Sequence, residues 1–398
     1  MKWEYKTLDE LGEVSRGRSK HRPRNDPALF GGKYPFVQTA DVKNANLYLT
    51  QYTDTYNEKG LEQSKLWHPG TLCITIAANI ADTAILGIDA CFPDSVMGFI
   101  PYEGVSNVKY VKYAFDMLQR DFKQISQGTA QDNLSWQKLS TIRFPAPPIE
   151  IQDRIVNIAS AYDDLIENNQ KQIKLLEEAA QRLYKEWFID LRFPGHESTP
   201  IHDGIPDGWE RTTTEKAAAI LRRGISPSYD ENGDSTVINQ KCIRQTIVDL
   251  GEARKQTKKY PDELNLQDGD TVICSTGDGT LGRVGQVFGE LKNTTLDSHV
   301  TLVRATSDIG VQFLFWTIKS QQAFLQGMGK GSTNQLELNR SVIQELPFIL
   351  PDSKTRMAFE TLAQAIHNKI AAQNKQIIAL QTARDRLLPK LMSGEIEV

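Results

Sequence analysis

Between Ser15 and Asn25 the chain places Arg16, Arg18, Lys20, His21, Arg22 and Arg24 with no acid among them. Gly17, Pro23 and Pro27 keep helix and strand out of this stretch, so an exposed loop is expected. Planar guanidinium forks on a loop suit phosphate oxygens or guanine edges. A solvated surface run is the plainer alternative. The second half offers Arg222-Arg223 at the matching place, with Lys255, Lys258 and Lys259 further on. Two more segments are rich in amides and hydroxyls: Gln127, Thr129, Gln131 and Asn133 around Gly128, and Lys330, Ser332, Thr333, Asn334 and Gln335 around Gly331. Such side chains donate to and accept from base edges and phosphates. Ordinary capping turns would have the same composition.

The patterns that would mark catalysis are incomplete. Gly277-Asp278-Gly279-Thr280-Leu281-Gly282 has GxGxxG spacing, and Asp297 stands 20 residues beyond Gly277. The next residues, Arg283 through Gly289, alternate like a strand, whereas a dinucleotide site needs a helix there. A glycine-rich hairpin is expected instead. Pro261-Asp262 and Glu290-Leu291-Lys292 imitate a nuclease triad, but the first half has no equivalent. Neither an Asn-Pro-Pro-aromatic nor a Pro-Cys methyltransferase core occurs. Gly329-Lys330-Gly331-Ser332 falls short of a phosphate-binding GxxxxGK[ST] loop, and the six histidines never pair as HExxH. The chain reads as non-catalytic, with no catalytic or metal-binding set.

The elements that must position these residues are duplicated. Lys171-Gln172-Ile173, Leu176 and Arg182-Leu183 recur as Lys375-Gln376-Ile377, Leu380 and Arg386-Leu387, displaced by 204 residues. Gly128-Thr129-Ala130-Gln131 aligns with Gly331-Ser332-Thr333-Asn334, and Trp3-Glu4 with Trp209-Glu210. A period of half the chain is too long for a solenoid. It describes two copies of one module, each a variable body followed by a long helix. Two equivalent surfaces suit a ligand with two half-sites, of which DNA is the obvious candidate.

Both helices are legible from 3-4 spacing. The first carries Ile155, Ile158, Tyr162, Leu165, Asn169, Ile173, Leu176, Leu183 and Trp187. The second carries Phe359, Leu362, Ile366, Lys369, Gln373, Ile377, Leu380 and Leu387. The polar amides Asn169 and Gln373 fall at one seam position, where such a residue weakens a coiled coil but sets its register. Phe193-Pro194-Gly195 is expected to end the first helix and Pro389 the second, near Leu388. Roughly 40 residues at about 1.5 Å each make about 60 Å. Antiparallel pairing would hold two recognition surfaces a fixed distance apart, as a ruler.

Composition sets the bounds. The 398 residues are 39% hydrophobic and 24% charged, as in an ordinary globular chain with material for two cores. No run approaches 18 apolar residues, so no membrane span is expected, and the N-terminal stretch lacks the apolar segment of a signal peptide. Cys73, Cys91, Cys242 and Cys274 lie far apart, which suggests buried free thiols in a reducing cytoplasm. Net charge is −4: +1 for residues 1–145, −3 for 146–196, −4 for 197–350 and +2 for 351–398. No domain is basic overall, so any DNA affinity must come from local patches or a basic partner. The bodies read as mixed α/β (α+β), with strands at Tyr34–Val37, Thr71–Ile76, Thr271–Cys274 and Val300–Val303, and helices over 110–125 and 311–325. The expected domains are bodies at 1–146 and 197–350, with helices at 147–196 and 351–398.

Two variable bodies, each closed by a Gly-[Ser/Thr] loop and a helix bearing Lys-Gln-Ile…Leu…Arg-Leu, resemble the specificity (S) subunit of type I restriction–modification systems. The resemblance extends to Gly269-Asp270-Thr271-Val272…Ser275-Thr276-Gly277…Gly282, to Pro147-Pro148-Ile149-Glu150-Ile151-Gln152, and to Leu387…Leu391-Met392-Ser393-Gly394. It covers the whole chain, and the duplicated order carries it more than any one motif. Leu350-Pro351-Asp352-Ser353-Lys354 departs from the Pro-Pro-Xaa-Xaa-Xaa-Gln pattern at entry to the second helix. The resemblance implies two target recognition domains reading an interrupted site in double-stranded DNA. It also implies that the helices, paired with a pseudo-two-fold internal repeat, bind two methylating (M) subunits, joined by nuclease (R) subunits. S-adenosylmethionine, ATP and Mg²⁺ would then belong to those partners, with no cofactor on this chain. A non-catalytic coiled-coil adaptor that reads no DNA, or a stand-alone nuclease, is the competing reading.

Overall fold

The computed structural model describes residues 3–76, 82–125, 136–289, 291–328 and 337–398. It comprises two compact units, Met1–Glu167 with Ile377–Val398, and Asn168–Gln376. Each unit contains a body and a stretch of both long helices.

In the first unit Glu4–Lys6 pairs antiparallel with Phe144–Ala146. A five-stranded sheet runs Gly12–Arg16, Val96–Pro101, Leu72–Thr75, Thr83–Leu86, Tyr48–Leu49, and a four-stranded one runs Asp54–Tyr56, Phe30–Phe36, Ala90–Cys91, Leu66–Trp67. The helix Val108–Ile125 lies against Thr83–Leu86. Leu8, Leu72, Phe99, Tyr110, Phe115 and Phe144 form the core with Ile155, Val156 and Ala159 of one long helix and Leu388, Leu391 and Met392 of the other.

The second unit repeats this plan. Glu210–Thr213 pairs with Pro347–Leu350. A four-stranded sheet runs Ala218–Arg223, Val300–Ala305, Thr271–Cys274, Val284–Gln286, and a three-stranded one runs Arg254–Gln256, Ser235–Ile238, Thr294–Leu296. The residues of the GxGxxG pattern join the antiparallel strands Thr271–Cys274 and Val284–Gln286, a hairpin and not a strand-to-helix turn. The helix expected over 311–325 is two, Val311–Ser320 and Gln322–Gly327.

One glycine crossing marks the equivalence. Gly17 N–H donates to Val96 O at 2.8 Å and Arg18 N–H to Phe92 O at 3.0 Å; Gly224 N–H donates to Val300 O at 3.0 Å and Ile225 N–H to Leu296 O at 2.9 Å. A Cβ on Gly17 would sit 2.3 Å from Pro93 O, and one on Gly224 2.0 Å from Leu296 O. Backbone passes so close to backbone that only glycine fits, in both copies.

The long helices run Ile149–Tyr184, followed by a π turn at Lys185–Ile189, and Ser353–Met392. Within each unit their segments pair antiparallel. In the first, Arg154 Nη1 donates to Val398 O at 3.1 Å and Asp163 pairs with Arg384. In the second, Gln172 meets Gln373, and the Tyr184 ring lies 5.9 Å from that of Phe359. Ile155, Asn169, Ile173, Phe359, Gln373 and Ile377 are buried, with Ile158, Tyr162, Leu176, Leu183, Ile366, Leu380 and Leu387 half-buried. Leu165 and Leu362, each 47% exposed, miss the seam, which passes through Ile166 and Ala363. An α-helix drifts by about 20° per heptad against a strict seven-residue repeat, which moves the buried stripe onto the next residue. The amide of Gln373 donates to Gln172 and not to Asn169, so the two seam amides are buried on their own terms.

Both helix ends depart from expectation. The first helical run stops at Ile189, before Phe193-Pro194-Gly195, and Leu191 takes a left-handed φ of 56°. The extra residue of the π turn lets adjacent Trp187 and Phe188 both reach the core. The second helix passes through Pro389 and continues to Met392. Burial of Leu388, Leu391 and Met392 holds the last turn although Pro389 offers no N–H.

The joint between body and helix is built twice with different residues. Buried Gln152 donates to Val105 O at 3.0 Å and Pro147 O at 2.9 Å and accepts from Asn107 N–H at 3.0 Å. Its counterpart is Arg356, which donates to Asp308 O at 2.9 Å through Nη2 and to Pro351 O at 2.8 Å through Nη1. The altered helix-entry motif therefore keeps its function. Asn107 Oδ1 caps its own helix at Lys109 N–H, 2.9 Å. Gly310 stands in that place in the second unit, and Glu360 accepts from Gln312 N–H at 3.0 Å and Phe313 N–H at 2.9 Å instead.

All four cysteines are free and buried. Burial pushes the Cys242 thiol up to about 11 and that of Cys274 up to about 12, so neither is a nucleophile at neutral pH.

Candidate nucleic-acid interface

The basic stretch of the first body begins at Arg16, the last residue of Gly12–Arg16, and continues as a loop to Asp26. Its backbone is pinned: Ser64 Oγ donates to Arg18 O at 2.7 Å, and His21 N–H donates to Gln63 Oε1 at 3.0 Å. Arg16, Arg18 and Lys20 are exposed, and none makes an ion pair among the described residues. The other cations are engaged. Arg22 Nη1 donates to Ser19 O at 2.7 Å and His21 O at 2.8 Å. Arg24 pairs with Asp94 at 2.8 Å and His21 with Asp26 at 2.8 Å. The loop is acid-free in sequence but not in space, because Asp94 arrives from a neighbouring turn. Three cations are left facing solvent on a fixed backbone, a geometry suited to phosphate.

Arg222 and Arg223 end the strand Ala218–Arg223, as Arg16 ends its own. Their surroundings differ. Arg222 pairs with Glu263, and Arg223 with Glu337 while also donating to Leu338 O at 2.7 Å. They are neutralised where Arg16 and Arg18 are not. Gln127, Thr129, Gln131, Asn133, Lys330, Ser332, Thr333, Asn334 and Gln335 lie outside the described residues.

A further concentration of positive charge escapes any reading of local runs. Arg244, Arg283 and Lys319 line one cavity in the second unit. Separated by 39 and 36 residues, they form no cluster in sequence. No group of three or more potential metal ligands occurs among the described residues. No described helix is long and apolar enough to cross a membrane.

Residues 1–178 match the family described as the type I restriction modification DNA specificity domain. Similarity to curated relatives spans both units. The type I restriction enzyme MjaIX specificity subunit of Methanocaldococcus jannaschii is 25% identical, over 100% of this chain and 94% of that protein. The HindI specificity subunit of Haemophilus influenzae is 22% identical, over 97% of this chain and 98% of that protein. In fold, a crystal structure of a type I restriction–modification S subunit from M. genitalium aligns over 98% of this chain and 96% of that one, with a TM-score of 0.55 at 15% identity.

Proposed function

We propose that the chain is a specificity subunit of a type I restriction–modification system and supplies DNA sequence specificity to such a complex; the match of residues 1–178 to the DNA specificity domain and relatives 22–25% identical over nearly the whole chain support it. Residues 1–146 and 197–350 act as two target recognition domains, each reading half of a bipartite site in double-stranded DNA. The helices at 147–196 and 351–398 set the spacer and dock two M subunits, to which R subunits add. The chain itself is non-catalytic; methyl transfer, S-adenosylmethionine, ATP and Mg²⁺ belong to the partners. It works in the cytoplasm.

The observation that carries this reading is the duplicated plan, down to glycines Gly17 and Gly224 at equivalent backbone crossings. Arg16, Arg18 and Lys20 supply the phosphate contacts of the first domain, with Arg22 and Arg24 at its margin. Arg222 and Arg223 reach DNA only by exchanging Glu263 and Glu337 for phosphate. The amide-rich residues Gln127, Thr129, Gln131, Asn133 and Lys330, Ser332, Thr333, Asn334, Gln335 complete the proposed base-reading surfaces. Gel shifts with random duplex DNA, alone and with a methyltransferase partner, test the reading; so does comparing methylated sites in a host with and without this chain. An unchanged methylation pattern and no shift would leave a coiled-coil adaptor.

A further inference from the structure

The cavity lined by Arg244, Arg283 and Lys319 has a volume of 440 Å³, and the glutamines Gln245, Gln322 and Gln326 complete its polar wall. Every polar side chain on that wall can donate a hydrogen bond, and no carboxylate among the described residues lines it. We propose that this cavity is a phosphate site. The proposal deepens the DNA reading but does not depend on it, because the same donor set suits the phosphates of a free nucleotide.

The wall is built, not assembled from loose surface side chains. Gly282, at a φ of 72°, lies so close to the following helix that a Cβ would fall 2.5 Å from Gln326 N. That crossing sets Arg283 beside Gln326. Gln322 Oε1 accepts from Val284 N–H at 3.0 Å and from Lys319 Nζ at 2.9 Å, which leaves its amide NH₂ as the donating end. Lys319 Nζ also donates to Val284 O at 2.7 Å, so two of its three N–H bonds are spent on holding it in place. Glu177 interacts electrostatically with Lys319; burial pushes the Glu177 carboxyl up and pulls Lys319 below the usual lysine range. Arg244 leans on Glu252 at 3.2 Å at the rim. Arg283 has no ion-pair partner among the described residues. Its planar fork is the group an incoming oxyanion would engage in two hydrogen bonds.

The volume falls within the range of about 300–1,000 Å³ usual for ligand clefts and exceeds what one bare phosphate fills. Two sources of phosphate remain, a duplex backbone running over the rim or a free pyrophosphate-bearing nucleotide. They differ in what salt does: each backbone contact adds about one unit to the slope of log affinity against log salt.

The test uses the full chain and two double variants, R244Q/R283Q and R244K/R283K, each checked for an unchanged thermal melt. Fluorescence anisotropy of a labelled random duplex over a range of KCl gives the salt slope, and calorimetry with inorganic pyrophosphate gives direct binding. A slope lowered by about two in R244Q/R283Q and kept in R244K/R283K supports the site with DNA as the source. Pyrophosphate binding that R244Q/R283Q weakens at least tenfold, with DNA binding unmoved, supports it with a free nucleotide as the source. Identical slopes in all three proteins with no pyrophosphate binding overturn it. If the unmodified chain binds no duplex, the function proposed above loses support, and pyrophosphate alone decides the cavity.

Discussion

At the scale of single residues, the basic loop separates into cations that hold the protein and cations that can leave it. Arg22 and Arg24 are spent on Ser19 O, His21 O and Asp94, whereas Arg16, Arg18 and Lys20 keep their charge in solvent. Replacing those three by Ala is expected to lower the salt slope of duplex binding by about three units, whereas Arg24→Ala alone leaves it nearly unchanged. Anisotropy titrations in KCl read both. An equal effect of Arg24→Ala would mean that the Asp94 pair opens on DNA. Asp297 gives a pH prediction in the second unit. It is 3% exposed, and burial raises its carboxyl above the ordinary value even though His299 N–H donates to it at 2.9 Å. A carboxyl raised on folding favours the native state while protonated and costs stability once pH climbs through its folded pKa. Asp297→Asn should therefore raise the urea midpoint at pH 7, and the gain should vanish at a pH below the ordinary carboxylate range. A gain independent of pH would assign the effect to packing.

At the scale of elements, each body docks on its helix through a joint that satisfies the same backbone groups with different side chains. Gln152 serves Val105 O, Pro147 O and Asn107 N–H in one unit. Gln152→Ala strands one buried and two half-buried backbone groups and should cost about 2 kcal/mol in urea unfolding. Arg356→Gln should cost less than Arg356→Ala, since the first unit demonstrates that a glutamine of this reach can bridge equivalent carbonyls. Equal costs would show that the charge of Arg356, not its donors, holds the joint. In the second unit a Cβ on Gly310 would lie 2.6 Å from Glu360 Oε2, so the local cap of the first unit has no room. Glu360→Ala should lose a helix cap at about 1–2 kcal/mol, measured the same way. Within one duplicated plan, Asn with Gln has given way to Gly with Glu and Arg.

At the scale of the whole molecule, the duplication predicts independent halves of specificity. Grafting another recognition domain between the Trp3 region and Pro147 is expected to change one half of the methylated site and leave the other intact, as read by methylome sequencing. A chimera altered in both halves would refute independent reading. The residues of the joint between body and helix set a condition on such grafts. A body grafted at the first position must bring an Asn107-like cap and meet Gln152, whereas one grafted at the second must accommodate Arg356 and Glu360.

The sequence by itself determined the duplication, the two long helices, the lack of a complete catalytic motif and the resemblance to type I specificity subunits, because each is written in spacing that survives without knowledge of contacts. Lys171-Gln172-Ile173 and Lys375-Gln376-Ile377 are such a record, and so is the hairpin after Gly277, where alternation from Arg283 to Gly289 ruled out a nucleotide-binding helix. Tertiary structure alone decided which charges are free. Asp94 reaches Arg24 across 70 residues and Glu337 reaches Arg223 across 114, so acid-free runs said nothing about acid-free space. It also decided where the helices stop, because burial of Leu391 and Met392 outweighs the missing N–H of Pro389. The cavity of Arg244, Arg283 and Lys319 belongs to the same class: its cations come from three separate segments, and the approach of Gly282 to Gln326 helps to place Arg283 among them.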